Sequence, residues 1–323
     1  MSKKKERVYG MAPLPFQGQK RKWKSDFVNV IKTLPDDTIV VDLFGGSGLL
    51  SHFSKTANPK LRVIWNDYDD YQSRLRAIPK TNELVHKMKA IIGDEPRGKR
   101  LPKDKEEAIR TLLRESEERE EFVDFLTISR SIVFSSRAIG STEELISQTY
   151  YNRVVMNDYN CDGYLEGVEV VRCDYKDLVD KYQDDPRVVF LADPPYLNTD
   201  TSSYNMVSQS GLSWNIELLN NIIDKRFIFF TSERSDILSL MNEIGKFDIH
   251  KNAEVYKRSC TLGANRANRY NELKKMTMED IMIVRITHDK GKKQGGTKRQ
   301  GMRSRLCAFF LRLRGSLQLG GIN

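Results

Sequence analysis

The sequence predicts an α/β fold built on a doubly wound, mostly parallel sheet with a small helical insert. Three observations carry this. Val188-Val189-Phe190-Leu191-Ala192 has the length and composition of a buried parallel strand, and the double proline after Asp193 cannot continue a sheet. Thr38-Ile39-Val40-Val41-Asp42-Leu43-Phe44 is a second such run, followed by Gly45-Gly46-Ser47-Gly48 and the apolar-periodic Leu49, Leu50 and Phe53: strand, glycine turn, helix. Between residues 75 and 165 the character changes, with charges of both signs alternating with a helical apolar face.

In chain order, strands are expected at 38–44, 61–66, 168–173, 188–193, 227–232 and 281–286, separated mostly by helical stretches. Leu61-Arg62-Val63-Ile64-Trp65-Asn66 runs directly into Asp67. Phe227-Ile228-Phe229-Phe230-Thr231-Ser232 is a late core strand and Asp280 to Ile286 a closing one, with a terminal hairpin expected to use 247–258 and this last strand. In the insert, Arg97 to Glu121 is charge-dense, and Ile109, Leu112, Leu113, Phe122, Val123, Phe125 and Leu126 supply its apolar face. The chain thus divides into residues 1–74 and 166–288 as two parts of one core, 75–165 as insert, and 289–323 as a basic tail.

Asp193-Pro194-Pro195-Tyr196 lies at the carboxyl edge of a strand, where open α/β sheets bind ligands. The chemistry suited to it is methylation of an exocyclic amine. A nucleobase amino group is a poor nucleophile, and two acceptors on its hydrogens pull the nitrogen towards a tetrahedral geometry. Asp193 Oδ supplies one acceptor, the carbonyl of Pro194 the other, and Tyr196 a flat face for a base taken out of its stack. A surface turn is the plain alternative. The glycine turn suits close approach of a ligand to a helix N-terminus, but its spacing fits neither a phosphate loop nor Gly-x-Gly-x-x-Gly. Asp67, about twenty residues on, suits the hydroxyls of a ribose; a helix cap is the alternative for it or for Asp69.

Pro15-Phe16-Gln17-Gly18-Gln19-Lys20, then Asp42 to Gly48, then Asp67, then Asp193 to Tyr196, in that order, resemble the Dam-type (D12 class, alpha group) DNA adenine-N6 methyltransferases. The resemblance covers about residues 12–286 and makes the fold a Rossmann-like S-adenosylmethionine-dependent methyltransferase core. It implies that Phe16 and Lys20 contact S-adenosylmethionine, with Phe16 standing where many relatives have tryptophan. It further implies that Phe44, Gly45, Gly46 and Gly48 shape the methionine pocket, that Asp67 holds the ribose and that Asp174, in Arg172-Cys173-Asp174-Tyr175, reads the cofactor adenine. Asp193, Pro194, Pro195 and Tyr196 would handle the target adenine, with Asp193 also bordering the cofactor.

By the same resemblance the insert is a target-recognition domain. Ser129-Arg130-Ser131, Ser135-Ser136-Arg137 and Tyr150-Tyr151-Asn152-Arg153 offer it phosphate and base-edge ligands, Arg130, Arg137 and Arg153 foremost, although a solvated helix face is the plain alternative for each. Residues 197–205 form a polar, turn-rich loop that would bring Asn198, Ser203 and Tyr204 near a flipped base. Residues 258–275 read as a mobile DNA-facing loop.

Composition is less informative than it looks. The net charge is +9, yet nine Lys or Arg and a single Asp in residues 289–323 account for +8 of it. That tail reads either as a disordered arm with phosphate affinity or as an amphipathic segment that docks weakly or nowhere. The four cysteines show no Cys-x-x-Cys pairing and none follows a proline, so no zinc site, disulfide framework or cytosine-C5 thiol chemistry is expected; the four histidines show no ligand spacing either. No apolar run is long enough to span a membrane and no signal peptide is read before Pro13, so a cytoplasmic protein is the expectation.

The function expected is site-specific methylation of adenine N6 in DNA, with RNA adenine-N6 or DNA cytosine-N4 methylation as alternatives. A catalytically silent DNA-binding protein with a methyltransferase-like core is the rival from another class. The partner expected is double-stranded DNA with a flipped adenine, bound by a monomer. A cognate restriction enzyme, an orphan role and a phage role leave no mark in one chain.

Overall fold

The computed structural model describes residues 9–119, 122–134, 139, 141–155, 157–195, 212–233, 235, 237, 241, 253–262 and 276–286. Seven strands are found among them: β1 (Ile39–Asp42), β2 (Arg62–Asn66), β3 (Glu169–Val171), β4 (Val188–Ala192), β5 (Phe227–Ser232), β6 (Glu254–Leu262) and β7 (Met276–Arg285). They form one sheet in the order β3-β2-β1-β4-β5-β7-β6. β1 to β5 are mutually parallel where they pair, and β7 is antiparallel to both β5 and β6. The strand order reverses direction between β1 and β4, which makes their carboxyl ends the switch point of the sheet.

Alternation along the strands explains why helices cover both faces. Val40, Val63, Trp65, Val189, Leu191, Ile228, Phe230, Met282 and Val284 point into one core, with Phe27, Val30 and Ile31 of α1 (Lys24–Ile31) and Leu49, Leu50 and Phe53 of α2 (Leu49–Ala57). Ile39, Val41, Ile64, Val188, Phe190, Phe227, Phe229, Ile281 and Ile283 point into the other. There they meet Leu178 and Val179 of α8 (Tyr175–Tyr182) and Leu218, Leu219 and Ile222 of α9 (Leu212–Ile222). A sheet buried on both faces needs apolar residues at every position, which is why β4 and β5 read as unbroken runs.

Between β2 and β3 stand α3 (Tyr71–Arg76), α4 (Ile78–Ile92), α5 (Lys103–Glu118), α6 (Phe125–Ile132) and α7 (Thr142–Ile146). Leu84, Val85 and Met88 of α4, Ile109 and Leu113 of α5, Ile128 and Ile132 of α6 and Leu145 of α7 share a third core. Phe122, expected on this face, is instead 49% exposed in the connection between α5 and α6. α6 and α7 start on side-chain caps, Asp124 accepting from the Thr127 N–H and Ser141 from that of Glu144.

The terminal hairpin is displaced from its expected position. β6 starts at Glu254 and pairs with β7 continuously to Leu262, so Arg258 lies inside a strand and not at the head of a mobile loop. Its Nε donates to Asp26 Oδ2 on α1 at 2.6 Å and its guanidinium lies 5.7 Å from the Trp23 ring. Residues 263–275 and the tail 289–323 lie outside the described residues. Among the described residues, no helix is long and apolar enough to cross a membrane.

Candidate active site

β1, β2 and β4 run in one register, with Asp42 opposite both Trp65 and Leu191. Their carboxyl ends therefore emerge together, bringing the glycine turn, Asp67 and Asp193 to one edge of the sheet. The turn is closed by the Gly48 N–H donating to the Gly45 carbonyl at 2.7 Å, and the Gly48 carbonyl accepts from the His52 N–H as α2 begins. All three of its glycines are sterically required, Gly48 at φ +74° having Leu165 Cδ1 2.8 Å from where its Cβ would be. A Cβ on Gly45 would stand 2.0 Å from Trp65 Cδ1, and Gly46, at φ +47°, has the Phe16 ring where its own Cβ would be, at 2.9 Å. Phe16 thus lies over the turn, edge-on to Tyr71 with ring centroids 5.7 Å apart. Phe44, at the start of the turn, packs against both Tyr175 and Trp214, whose rings also touch each other.

Asp193 follows β4 and is mostly covered. Lys20 Nζ donates to its Oδ2 at 2.6 Å and to the Gly18 carbonyl at 3.0 Å. Burial pushes the Asp193 carboxyl up from its ordinary range and the Lys20 ammonium pulls it back. Its Oδ1 is buried with no hydrogen-bond partner among the described residues. Asp42, 1% exposed at the end of β1, is the neighbouring acid. Burial lifts it to about 7, the 2.6 Å hydrogen bond from Ser51 Oγ opposes that lift, and the Asp193 charge adds to it. Two acids at adjacent strand ends thereby separate in character: Asp193 is paired with a cation, and Asp42 has none among the described residues.

Asp67 is 3% exposed, and both its oxygens receive backbone N–H groups, Tyr71 to Oδ1 at 2.6 Å and Gln72 to Oδ2 at 2.8 Å. It anchors the start of α3, and each oxygen keeps a further lone pair. Burial nonetheless raises its carboxyl above the ordinary range. Asp174 caps α8 in the same manner, accepting the Lys176 N–H at 2.9 Å. Sequence reading missed the residue between these ends. Asn66 donates to the Leu43 and Cys173 carbonyls and accepts the Cys173 N–H, tying the ends of β1, β2 and β3 together. It also missed Asp42 as a functional group, although an acid inside an apolar run was a visible signal.

Residues 16–278 match the family model of the D12 class N6 adenine-specific DNA methyltransferases. The chain belongs to that class. A protein of Haemophilus influenzae named "Putative methyltransferase" is 34% identical over 262 residues, covering 78% of this chain and 87% of that protein. Among solved structures, precorrin-6y C5,15-methyltransferase from Geobacter metallireducens gives a TM-score of 0.35 at 10% identity over 87% of this chain and 100% of its own. The SAM dependent methyltransferase from Agrobacterium tumefaciens gives 0.33 at 8% over 82% and 61%. Both likenesses are too weak to carry an argument.

This D12-class protein is therefore an S-adenosylmethionine-dependent methyltransferase of nucleic acid, with the Rossmann-like core and helical insert expected. The site fits that cofactor. An Asp193 carboxylate oxygen with no hydrogen-bond partner among the described residues stands at the same sheet edge as a turn whose Cβ positions are taken up by Trp65, Phe16 and Leu165, so that the turn itself presents only backbone at the start of α2.

On the insert, the methyltransferase exposes Arg130 in the last turn of α6. Arg153 Nη1 donates to the Val133 and Phe134 carbonyls, and its guanidinium lies 5.3 Å from the 63% exposed Phe134 ring. Three neighbours are corrected. Tyr150 is fully buried, its hydroxyl bonded to the Leu145 carbonyl, and Ser129 and Ser131 are buried with their hydroxyls bonded back to helix carbonyls. None of these presents a ligand to DNA; α6 is short, and its Thr127, Ser129 and Ser131 fall on the packed side while Arg130 faces out. Tyr196, Arg137, Tyr204, Asn198 and Ser203 lie outside the described residues.

Proposed function

We propose that the protein is a Dam-type, alpha-group enzyme that methylates N6 of adenine at specific sites in double-stranded DNA. The observation that supports this best is Asp193: it sits at the switch point of the sheet, its charge is held by Lys20, and its second oxygen has no hydrogen-bond partner among the described residues. In this reading Asp193 Oδ1 and the Pro194 carbonyl accept the two hydrogens of the target amine, Pro195 makes the backbone rigid there, and Tyr196 stacks on the flipped base. Reaction is then positioning and electrostatics, without a covalent enzyme intermediate.

Phe16 and the Gly45, Gly46 and Gly48 turn would line the methionine part of the cofactor with Phe44. Asp67 would take the ribose hydroxyls on its remaining lone pairs, and Asp174 the cofactor adenine. The bound cofactor supplies an electrophilic methyl group on sulfonium. Lys20 would act on it through Asp193, whose charge it maintains. Residues 75–165 would hold the target-recognition surface, with Arg130, Arg137, Arg153 and Tyr204 towards DNA.

The test is Asp193→Ala with saturating cofactor, assayed by transfer of labelled methyl to unmethylated genomic DNA, with the product nucleosides separated. Loss of transfer together with N6-methyladenine as the wild-type product is expected. Retained activity, or N4-methylcytosine as the product, would sink the reading; sequencing the modified DNA gives the motif.

A further inference from the structure

One buried ion pair connects the insert to the cofactor side of the core. Arg74 of α3 is 6% exposed and Asp124, at the start of α6, 3%. Arg74 Nε donates to Asp124 Oδ1 at 2.9 Å, and Nη2 donates both to the Pro15 carbonyl at 2.8 Å and to Thr127 Oγ1 at 3.2 Å. Asp124 is held in turn, its Oδ2 accepting the Thr127 hydroxyl at 2.6 Å and its Oδ1 the Thr127 N–H. A single guanidinium thus joins three segments distant in sequence: the N-terminal arm at Pro15, α3 after β2, and α6 of the insert.

What lies beside each contact gives the junction its meaning. Pro15 precedes Phe16, the ring over Gly46. The Arg74 guanidinium also lies 5.1 Å from the ring of Tyr71, whose hydroxyl exchanges hydrogen bonds with Leu14 and whose N–H donates to Asp67. A buried ion pair costs desolvation, and apolar packing of equal volume would hold two helices together as well. The planar fork of arginine adds direction, fixing the Pro15 carbonyl relative to the start of α6.

We infer that Arg74, Asp124 and Thr127 are positioning residues that set Phe16 over the cofactor turn and couple cofactor binding to DNA binding on the insert. Strain on α6 from bound DNA reaches Pro15 through this fork, and cofactor held under Phe16 stiffens α6 by the same path, so the two affinities are linked reciprocally. This rests on the proposed roles of Phe16 and of residues 75–165.

The test uses the full chain. Asp124→Asn keeps shape but leaves the Arg74 charge uncompensated; Arg74→Lys keeps charge but loses the fork. The loss is expected on KM for S-adenosylmethionine rather than on kcat, roughly tenfold for Asp124→Asn, equivalent to about 1.4 kcal/mol, with Arg74→Lys intermediate. Wild-type affinity for sheared unmethylated genomic duplex should tighten when S-adenosylmethionine is present, and in Asp124→Asn that ratio should fall towards one. A purely structural pair would lower Tm and leave KM and the ratio unchanged, which overturns the inference, as does a wild-type ratio of one. Should Asp124→Asn not fold, Thr127→Val leaves the ion pair in place; KM unchanged in that variant overturns the inference as well. Phe16→Ala separates this from the underlying reading: KM unchanged there refutes the role of Phe16 itself.

Discussion

Asp42 is where the structure makes its sharpest demand. The substitution Asp42→Asn keeps the shape of the side chain and an oxygen for the Ser51 hydroxyl, but removes a proton that the folded chain holds to about pH 7 against an ordinary 3.8. Below that ordinary value folded and unfolded chains both carry the proton, and Asp42 adds no pH dependence. Between the two values the unfolded chain has lost it and the folded chain keeps it, so stability falls as pH rises. Above about 7 both are ionised and the penalty is constant. At about 1.4 kcal/mol per pH unit, the full penalty has a ceiling near ~4 kcal/mol.

Urea denaturation of wild type and Asp42→Asn at a series of pH values measures it directly. From about pH 5.5 to about pH 7 the variant should gain roughly 1.5–2 kcal/mol relative to wild type, with little further gain beyond about pH 8. Comparison of the two proteins cancels the other titrating groups. Parallel stability curves across this range would refute the reasoning, since they would mean that Asp42 is ionised in the folded state as readily as in the unfolded one.

Lys20→Met takes the cation from Asp193 and should destabilise the fold by about 3–5 kcal/mol, the usual cost of breaking a buried pair. With the carboxyl then pushed further up, the acid limb of the kcat/KM profile should move to higher pH; a stationary limb would contradict the role given to Lys20. Gly45→Ala drives a methyl group into the buried Trp65 ring and the Asn66 carbonyl. The expected loss is at least ~1–3 kcal/mol, or several degrees in Tm, with weakened S-adenosylmethionine binding by calorimetry. Asn66→Ala strands three backbone groups at the ends of β1 and β3. It should cost about 1–3 kcal/mol, and a Tm within one degree of wild type would show that water replaces the amide.

What could be read from the chain follows the range of the forces involved. The doubly wound sheet was legible because burial on both faces leaves continuous apolar runs, as at Val188 to Ala192, and the pairing of strands follows from few topologies. β6 was placed too early because an edge strand with alternating exposure has no such run, and Glu254 to Leu262 is fixed by its partner β7 instead. The nucleic-acid ligands suffered from a related ambiguity. Serine and tyrosine serve a packed helix as readily as a phosphate, and only burial separates Tyr150 from Arg130.

The site itself was legible for a topological reason. In a sheet whose order reverses between β1 and β4, the loops after these two strands must be neighbours however far apart they are in sequence. Finding a glycine turn after one and an acid after the other therefore placed both at one edge of the sheet without any contact being known. The partners of those groups obey no such rule. Lys20 reaches Asp193 across 173 positions, and Arg74 reaches Asp124 across 50. In each case a charged residue in a short polar stretch looks the same whether it faces solvent or a buried acid. Position at a strand end is inherited from the fold, whereas the charge state of Asp193 and Asp42 is set by which side chains come from elsewhere to meet them. Chemistry at this edge therefore depends on the arm that carries Lys20 as much as on the tetrapeptide that carries the acid.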